Sequence, residues 1–339
     1  MLLAKFQSLL AFIPYALASS AVDSSPRACK PGTPSHILPA KNIFQPNETG
    51  VWLENIAVRS NGDLLLTMLE PTASLYTLKR PYSEAPEFSL IHTFHNAPGL
   101  VGITETEADV FAVVSIQYGN SSDPVSAASA IWGVSFMGSA FEIQKMADLP
   151  DAMLPNGITS FPGSSTVFVA DSRGGDIIRC DLRIGACGDA LKDAQTTPVS
   201  NTSESVGVNG VHYREGYLSW SNSDLVSIFR SRLDQNGWPA ANSTVETVGK
   251  VDAVFIDDFA EDDAGIFWIA AGRNNTIIAL RSDGSSEVVA GSPTELTVAG
   301  CTAVAFGRTI HDSRILYVVT NGQVEPAKVV ALDAADYAY

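Results

Sequence analysis

Residues 54–67 read ENIAVRSNGDLLLT: an alternating apolar run, a tight turn at Asn61-Gly62, and a second apolar run. Alternation over four to eight residues is the pattern of a half-buried strand, and Asn-Gly between two such runs marks a hairpin. The same phrase returns as VGITETEADVFAVV (101–114), NGITSFPGSSTVFVADS (156–172) and NGVHYREGYLSWSN (209–222). It returns again as DDFAEDDAGIFWIA (257–270) and CTAVAFGRTIHDSRILYVVT (301–320). The openings are about 44 to 55 residues apart, the period of a four-stranded propeller blade. Six repeats fill nearly the whole chain and predict an all-β fold, a six-bladed β-propeller, in which equivalent positions converge on one central channel.

At 339 residues and 45% hydrophobic content the chain can bury a large core, and the repeat argues for one closed domain rather than two. The early segment 36–53 is expected to supply the strand that completes the sixth blade beside VVALD (329–333). A net charge of −16 with no basic run excludes nucleic acid and anionic membrane surfaces as partners.

Lys5, the apolar stretch 6–17 and the small residues Ala16 and Ala18 predict a secretory signal peptide over 1–18. A Pro- and Ser-rich flexible leader follows over 19–35, and the propeller occupies 36–339. No segment is apolar for long enough to span a bilayer. A secreted chain agrees with sequons at Asn47, Asn120, Asn201, Asn242 and Asn274 and with four cysteines. Cys180 and Cys187 bracket the hairpin-like CDLRIGAC and are expected to pair, which leaves Cys29 with Cys301. The sequence does not indicate an oligomeric state.

The blade openings carry the chemistry. Glu54, Asn156, Asn209 and Asp257 share one offset from the second strands of their blades, which places four oxygen-bearing side chains in a ring at one end of the channel. Carboxylate and amide oxygens are the ligands of a hard divalent cation such as Ca²⁺. Asn-Gly and Asp-Asp are also ordinary turn formers, so a purely structural role stays open. His212, three residues after Asn209, is either a general base in the channel or a hydrogen-bonded core histidine. Trp52 and Tyr118 either line a substrate pocket or pack, whereas Trp268 in FWIAA reads as core. No GxSxG elbow occurs, which disfavours a serine hydrolase.

These openings resemble the regucalcin and gluconolactonase family of six-bladed propellers. The resemblance implies that a Glu, two Asn and an Asp hold a catalytic divalent metal, and the matching positions are Glu54, Asn156-Gly157, Asn209-Gly210 and Asp257. Asn55-Ile56 and Asp258-Phe259 depart from the family's glycine-containing motifs, and Leu100, Val101 and Gly102 make the second blade's mouth apolar. In texture, WLENIAVRSNGDLLLT, IDDFAEDD and CTAVAFGRT are similar to secreted propeller proteins of fungal secondary-metabolite clusters. Those include hetero-Diels–Alderases of tropolone–sesquiterpenoid pathways. That likeness implies a pericyclase joining a quinone methide to a polyene such as humulene in the channel mouth. Its partners are small apolar molecules and it requires no cofactor. Glu54 or Asp257 would be the acid, His212 the base, and Trp52, Tyr118, Asn156 and Asn209 the substrate contacts. The alternatives are a metal-dependent lactone hydrolase and a non-catalytic ligand-binding propeller.

Overall fold

Six four-stranded antiparallel sheets carry the chain around a ring, each sheet one blade. The computed structural model describes residues 37–116, 129–138, 140–200, 202 and 204–337. The expected signal peptide and leader, with Cys29, Tyr118, Asn120 and Asn201, lie outside the described residues. Among the described residues no helix is long and apolar enough to cross a membrane.

The inner strands are Trp52–Val58, Gly99–Glu107, Pro155–Ser160, Val208–Arg214, Phe259–Glu261 and Cys301–Phe306. Each lies at or beside one of the repeat openings. The second strand of each blade is the most deeply buried. Leu64, Leu65 and Leu66 are all fully buried, because both faces of that strand are covered by neighbouring blades. Burying one such side chain contributes roughly 1.5–3 kcal/mol, so three adjacent leucines anchor the first blade.

The apolar interior is divided among the blade interfaces. Trp268 packs with Val304 and Leu316 between the fifth and sixth blades, and Leu53 with Tyr317 between the sixth and first. Val101 packs with Val167 between the second and third, and Phe168 with Trp220 between the third and fourth. A blade therefore has no complete core of its own, as expected of a repeat architecture.

The ring is closed by the early strand Ala40–Phe44, which pairs antiparallel with Val329–Asp333, Ala40 opposite Leu332 and Asn42 opposite Val330. This is the closure anticipated from VVALD. Asn61-Gly62 turns with Gly62 at φ 89°, a left-handed conformation that a side chain would resist. Cys180 and Cys187 face each other across the last hairpin of the third blade and are disulfide-bonded. Cys301 has a free, buried thiol that donates to the Thr276 carbonyl at 3.3 Å. Of the described sequon asparagines, Asn47 and Asn242 are exposed, while Asn274 is partly buried and accepts a hydrogen bond from Val254 N–H at 2.8 Å.

At the far ends of the inner strands, ion pairs stitch blades together. Arg59 donates to both oxygens of Asp109, at 2.8 and 2.6 Å, and stacks on Phe136 at 4.1 Å. Arg308 pairs with Glu105, and Arg214 with Asp263 at 2.8 Å.

Candidate active site at the channel mouth

Glycine lets the inner strands converge. A Cβ on Gly102 would lie 2.5 Å from the Asn156 carbonyl oxygen, and one on Gly157 would lie 2.6 Å from that of Asn209. A Cβ on Gly210 would lie 2.2 Å from Asp258 Oδ1. The asparagine of each Asn-Gly pair is thus seated against its neighbouring blade by the glycine that precedes it around the ring. Asn156, Asn209 and Asp257 are brought to successive positions at one end of the channel.

Glu54 stands on the first inner strand, and only 7% of it is exposed. The indole N–H of Trp52 donates to its Oε2. Burial pushes the Glu54 carboxyl up to about 7, the Trp52 hydrogen bond pulls the other way, and the negative charge of Asp258 raises it further. Asp257 is held well above the usual carboxylate range, first by burial and then by repulsion from Glu54 and Asp258. A hydrogen bond from the Asn209 side chain and the charge of Arg273 oppose this shift. Asp257 is fixed through its backbone, its N–H donating to the Ala270 carbonyl at 2.8 Å and its carbonyl accepting from Ser221 Oγ at 2.7 Å. The Asn209 amide also donates to Ser223 Oγ at 3.0 Å. Asn156 is partly exposed.

Below the mouth a polar network crosses the channel. Asn55 Nδ2 of the first blade donates to Asp258 Oδ2 of the fifth at 2.8 Å, passing over the sixth blade between them. His212 Nε2 of the fourth blade meets Asp258 Oδ1 at 2.7 Å. Thr302 of the sixth donates to the Leu53 carbonyl at 2.8 Å. Asn55 and Asp258 were visible in the sequence only as departures from a glycine-containing pattern. Their partnership was missed because it joins blades that are not neighbours.

Trp52 is partly buried and leans on Leu69 of the first blade and Val101 and Ala112 of the second, so it serves as apolar wall and hydrogen-bond donor together. Trp268 is core, as expected, 1% exposed with its N–H on Asp262 at 3.0 Å. His92 packs edge-on against Phe94 at 4.9 Å.

Glu54, buried, and Asp257, partly buried, are a pair of acids whose charges repel. In the presence of two amides, that donor chemistry suits a hard divalent cation, which would relieve the repulsion. No group of three or more His, Cys, Asp or Glu side chains suited to a metal occurs among the described residues. A cation here would therefore depend on the amide oxygens of Asn156 and Asn209.

No protein-family model matches the chain. A candidate hetero-Diels–Alderase of Phoma sp is 32% identical over 316 residues, covering 86% of this chain and 89% of that protein. The candidate hetero-Diels–Alderase asR5 of Sarocladium schorii is 29% identical over 321 residues, covering 83% and 78%. Among solved structures, the calcium-binding protein regucalcin of Agrobacterium tumefaciens superposes with a TM-score of 0.62 at 12% identity. That match covers 88% of this chain and 97% of regucalcin, and it speaks to the fold.

Proposed function

From the premise that the chain belongs to the family of candidate hetero-Diels–Alderases built on six-bladed propellers, we propose that it is a pericyclase. It joins a quinone methide, such as a tropolone type, to a polyene such as humulene by an intermolecular hetero-Diels–Alder cycloaddition at the channel mouth. The observation that carries the reading is the buried carboxyl of Glu54, held near neutrality beside the indole of Trp52 and the raised acid of Asp257.

A cycloaddition of this kind needs two things from a protein. One is a water-poor surface that holds both partners in a near-attack pose, which lowers the entropic part of the barrier. Trp52, partly exposed, supplies it; Leu100 and Val101, expected from the sequence to line the mouth, are instead packed inside the blade interfaces. The other is a proton donor at the heterodiene oxygen, where negative charge builds up as the bonds form. Glu54, protonated over much of its population at neutral pH, supplies that. The same acid serves an earlier step. It gives its proton to the hydroxyl of a hydroxymethyl precursor, the C–O bond breaks with its electrons on oxygen, and as water leaves the tropolone O–H gives up its proton to a base of the channel, so that the neutral quinone methide remains. The Asn156 and Asn209 amides orient the tropolone oxygens. The Cys180–Cys187 disulfide supports folding in an oxidising, secretory compartment.

Glu54, Asn156, Asn209 and Asp257 are also the residues that would hold a calcium-class ion, which when bound supplies polarisation of a substrate oxygen. This donor set favours a second reading, a metal-dependent lactone hydrolase. The deciding experiment incubates the purified protein with a hydroxymethyl tropolone and humulene and resolves the products on a chiral phase. A single enantiomer, absent with Glu54→Gln, supports the pericyclase. Racemic product at the uncatalysed rate, together with calcium-dependent opening of a lactone, replaces it with the hydrolase.

A further inference from the structure

Asp258 is the most heavily engaged acid of the channel. Its Oδ1 accepts from Phe259 N–H at 2.8 Å and meets His212 Nε2 at 2.7 Å, and its Oδ2 accepts from Asn55 Nδ2 at 2.8 Å. Two of these donors are unambiguous. A backbone N–H can only donate, and Asn55 has its own carbonyl oxygen committed to Ile56 N–H at 2.8 Å, so its NH₂ must face Asp258. Both Asp258 oxygens already accept, so the proton in the remaining contact is assigned to His212 Nε2. In the neutral ring that donates Nε2–H, the lone pair lies on the other nitrogen, Nδ1.

The imidazole is also held in place. Phe259 packs edge-on against it at 4.7 Å, and the His212 side chain is 35% exposed. Gly210 makes the arrangement sterically feasible, since a Cβ there would collide with Asp258 Oδ1. Glu261 is the other acid whose charge acts on the ring. A histidine merely filling the core would have no need of a carboxylate pinned by two further donors from two blades.

We infer that Asp258 is a positioning residue that presents His212 Nδ1 as the proton acceptor for an enolic or phenolic hydroxyl of the substrate. The inference rests on the pericyclase reading for the step it serves. The substrate O–H bond breaks with its electron pair on oxygen, the proton bonds to Nδ1, and the imidazolium is stabilised by Asp258. In quinone methide formation this proton balances the one Glu54 gives to the departing hydroxyl, so the net loss is one water. The imidazolium then returns its proton through solvent to the Glu54 carboxylate, without any redox change.

The test has one arm free of the natural substrates and one that uses them. Nitrogen-15 NMR of the histidine rings should show His212 as the Nε2–H tautomer in the wild type, with that preference lost in Asp258→Asn. At one fixed pH, bound 4-nitrophenol should be ionised more than in water, and His212→Gln should abolish the excess. With a hydroxymethyl tropolone and humulene, Asp258→Asn should lower kcat about 100-fold with KM little changed. His212→Gly should recover activity with added imidazole. An Nδ1–H tautomer, no ionisation of the phenol, or His212→Gln at full kcat would overturn the inference. A wild type with the expected tautomer and probe ionisation but no turnover would overturn the pericyclase reading and leave the acceptor standing.

Discussion

Trp52 and Glu54 lie on one face of the first inner strand, two residues apart, and the indole N–H of the first donates to the carboxylate of the second. Burial and the charge of Asp258 favour the protonated acid, and this hydrogen bond is the force holding it back. Trp52→Phe keeps an aromatic wall and deletes the donor. The Glu54 carboxyl then rises above about 7. A rate that needs protonated Glu54 is lost as pH rises through that value, so the alkaline limb should move to higher pH in Trp52→Phe. A pH–rate profile of product formation checks this, and an unmoved limb would mean another group sets it.

Glu54 should also be a liability to stability. Its carboxyl goes from an ordinary 4.5 to about 7 on folding, so the native state keeps a proton that the unfolded chain releases between those values. Stability accordingly falls as pH rises through that window, by on the order of 3 kcal/mol, and the deficit is complete above it. Glu54→Gln should raise the melting temperature by several degrees at pH ~8 and leave it unchanged near pH ~4. Thermal unfolding at both pH values is the measurement.

Calcium gives a separate readout of the same ring. An ion held by Glu54, Asn156, Asn209 and Asp257 binds only the folded chain, and at a hundred times its dissociation constant it stabilises by about 2.7 kcal/mol. Melting curves of the wild type with calcium and with chelator should then separate, and those of Glu54→Gln should coincide. Coincident wild-type curves would mean that the four oxygens hold no calcium.

Gly157 and Gly210 should be intolerant of a methyl group, for different reasons. A Cβ on Gly157 meets the Asn209 carbonyl at 2.6 Å, and backbone cannot swing aside. Gly157→Ala should lower the melting temperature through strain costing about 1–3 kcal/mol. At Gly210 the obstacle is the Asp258 carboxylate, so Gly210→Ala should displace that group and cost activity as well as stability. A comparison of melting temperature with turnover for the two variants separates the effects.

The Cys180–Cys187 disulfide closes a short loop at the rim of the third blade, away from the mouth. Replacing both cysteines with serine should cost roughly 2–3 kcal/mol and leave turnover unchanged. Counting thiols in the unreduced, denatured protein should find the Cys301 thiol free, and finding none would mean that it is bonded to Cys29.

The inner two strands of each blade were legible in the sequence because they alternate or run continuously apolar, as in DLLLT and IFWIAA. Outer strands such as Ala140–Asp148 and Ala186–Leu191 carry mostly exposed side chains, and no hydrophobic period marks them. The mouth followed the same division. Glu54, Asn156, Asn209 and Asp257 were found because each repeats one offset within its own blade. The contact of Asn55 with Asp258 depends on how the first blade faces the fifth once the ring has closed, and no spacing along the chain encodes it.

Pairing Ala40 with Leu332 means that the ring cannot close until its sixth blade has been made. The closing strand Ala40–Phe44 is made long before its partner Val329–Asp333. At 5–20 residues per second the interval is on the order of tens of seconds. Until the sixth blade is made, the apolar face of the first blade that includes Leu53 lacks Tyr317, which it finally meets. Glu54 and Asp258 come together only when the circle shuts, so a nascent chain lacking its last blade has every residue of the mouth and no active site.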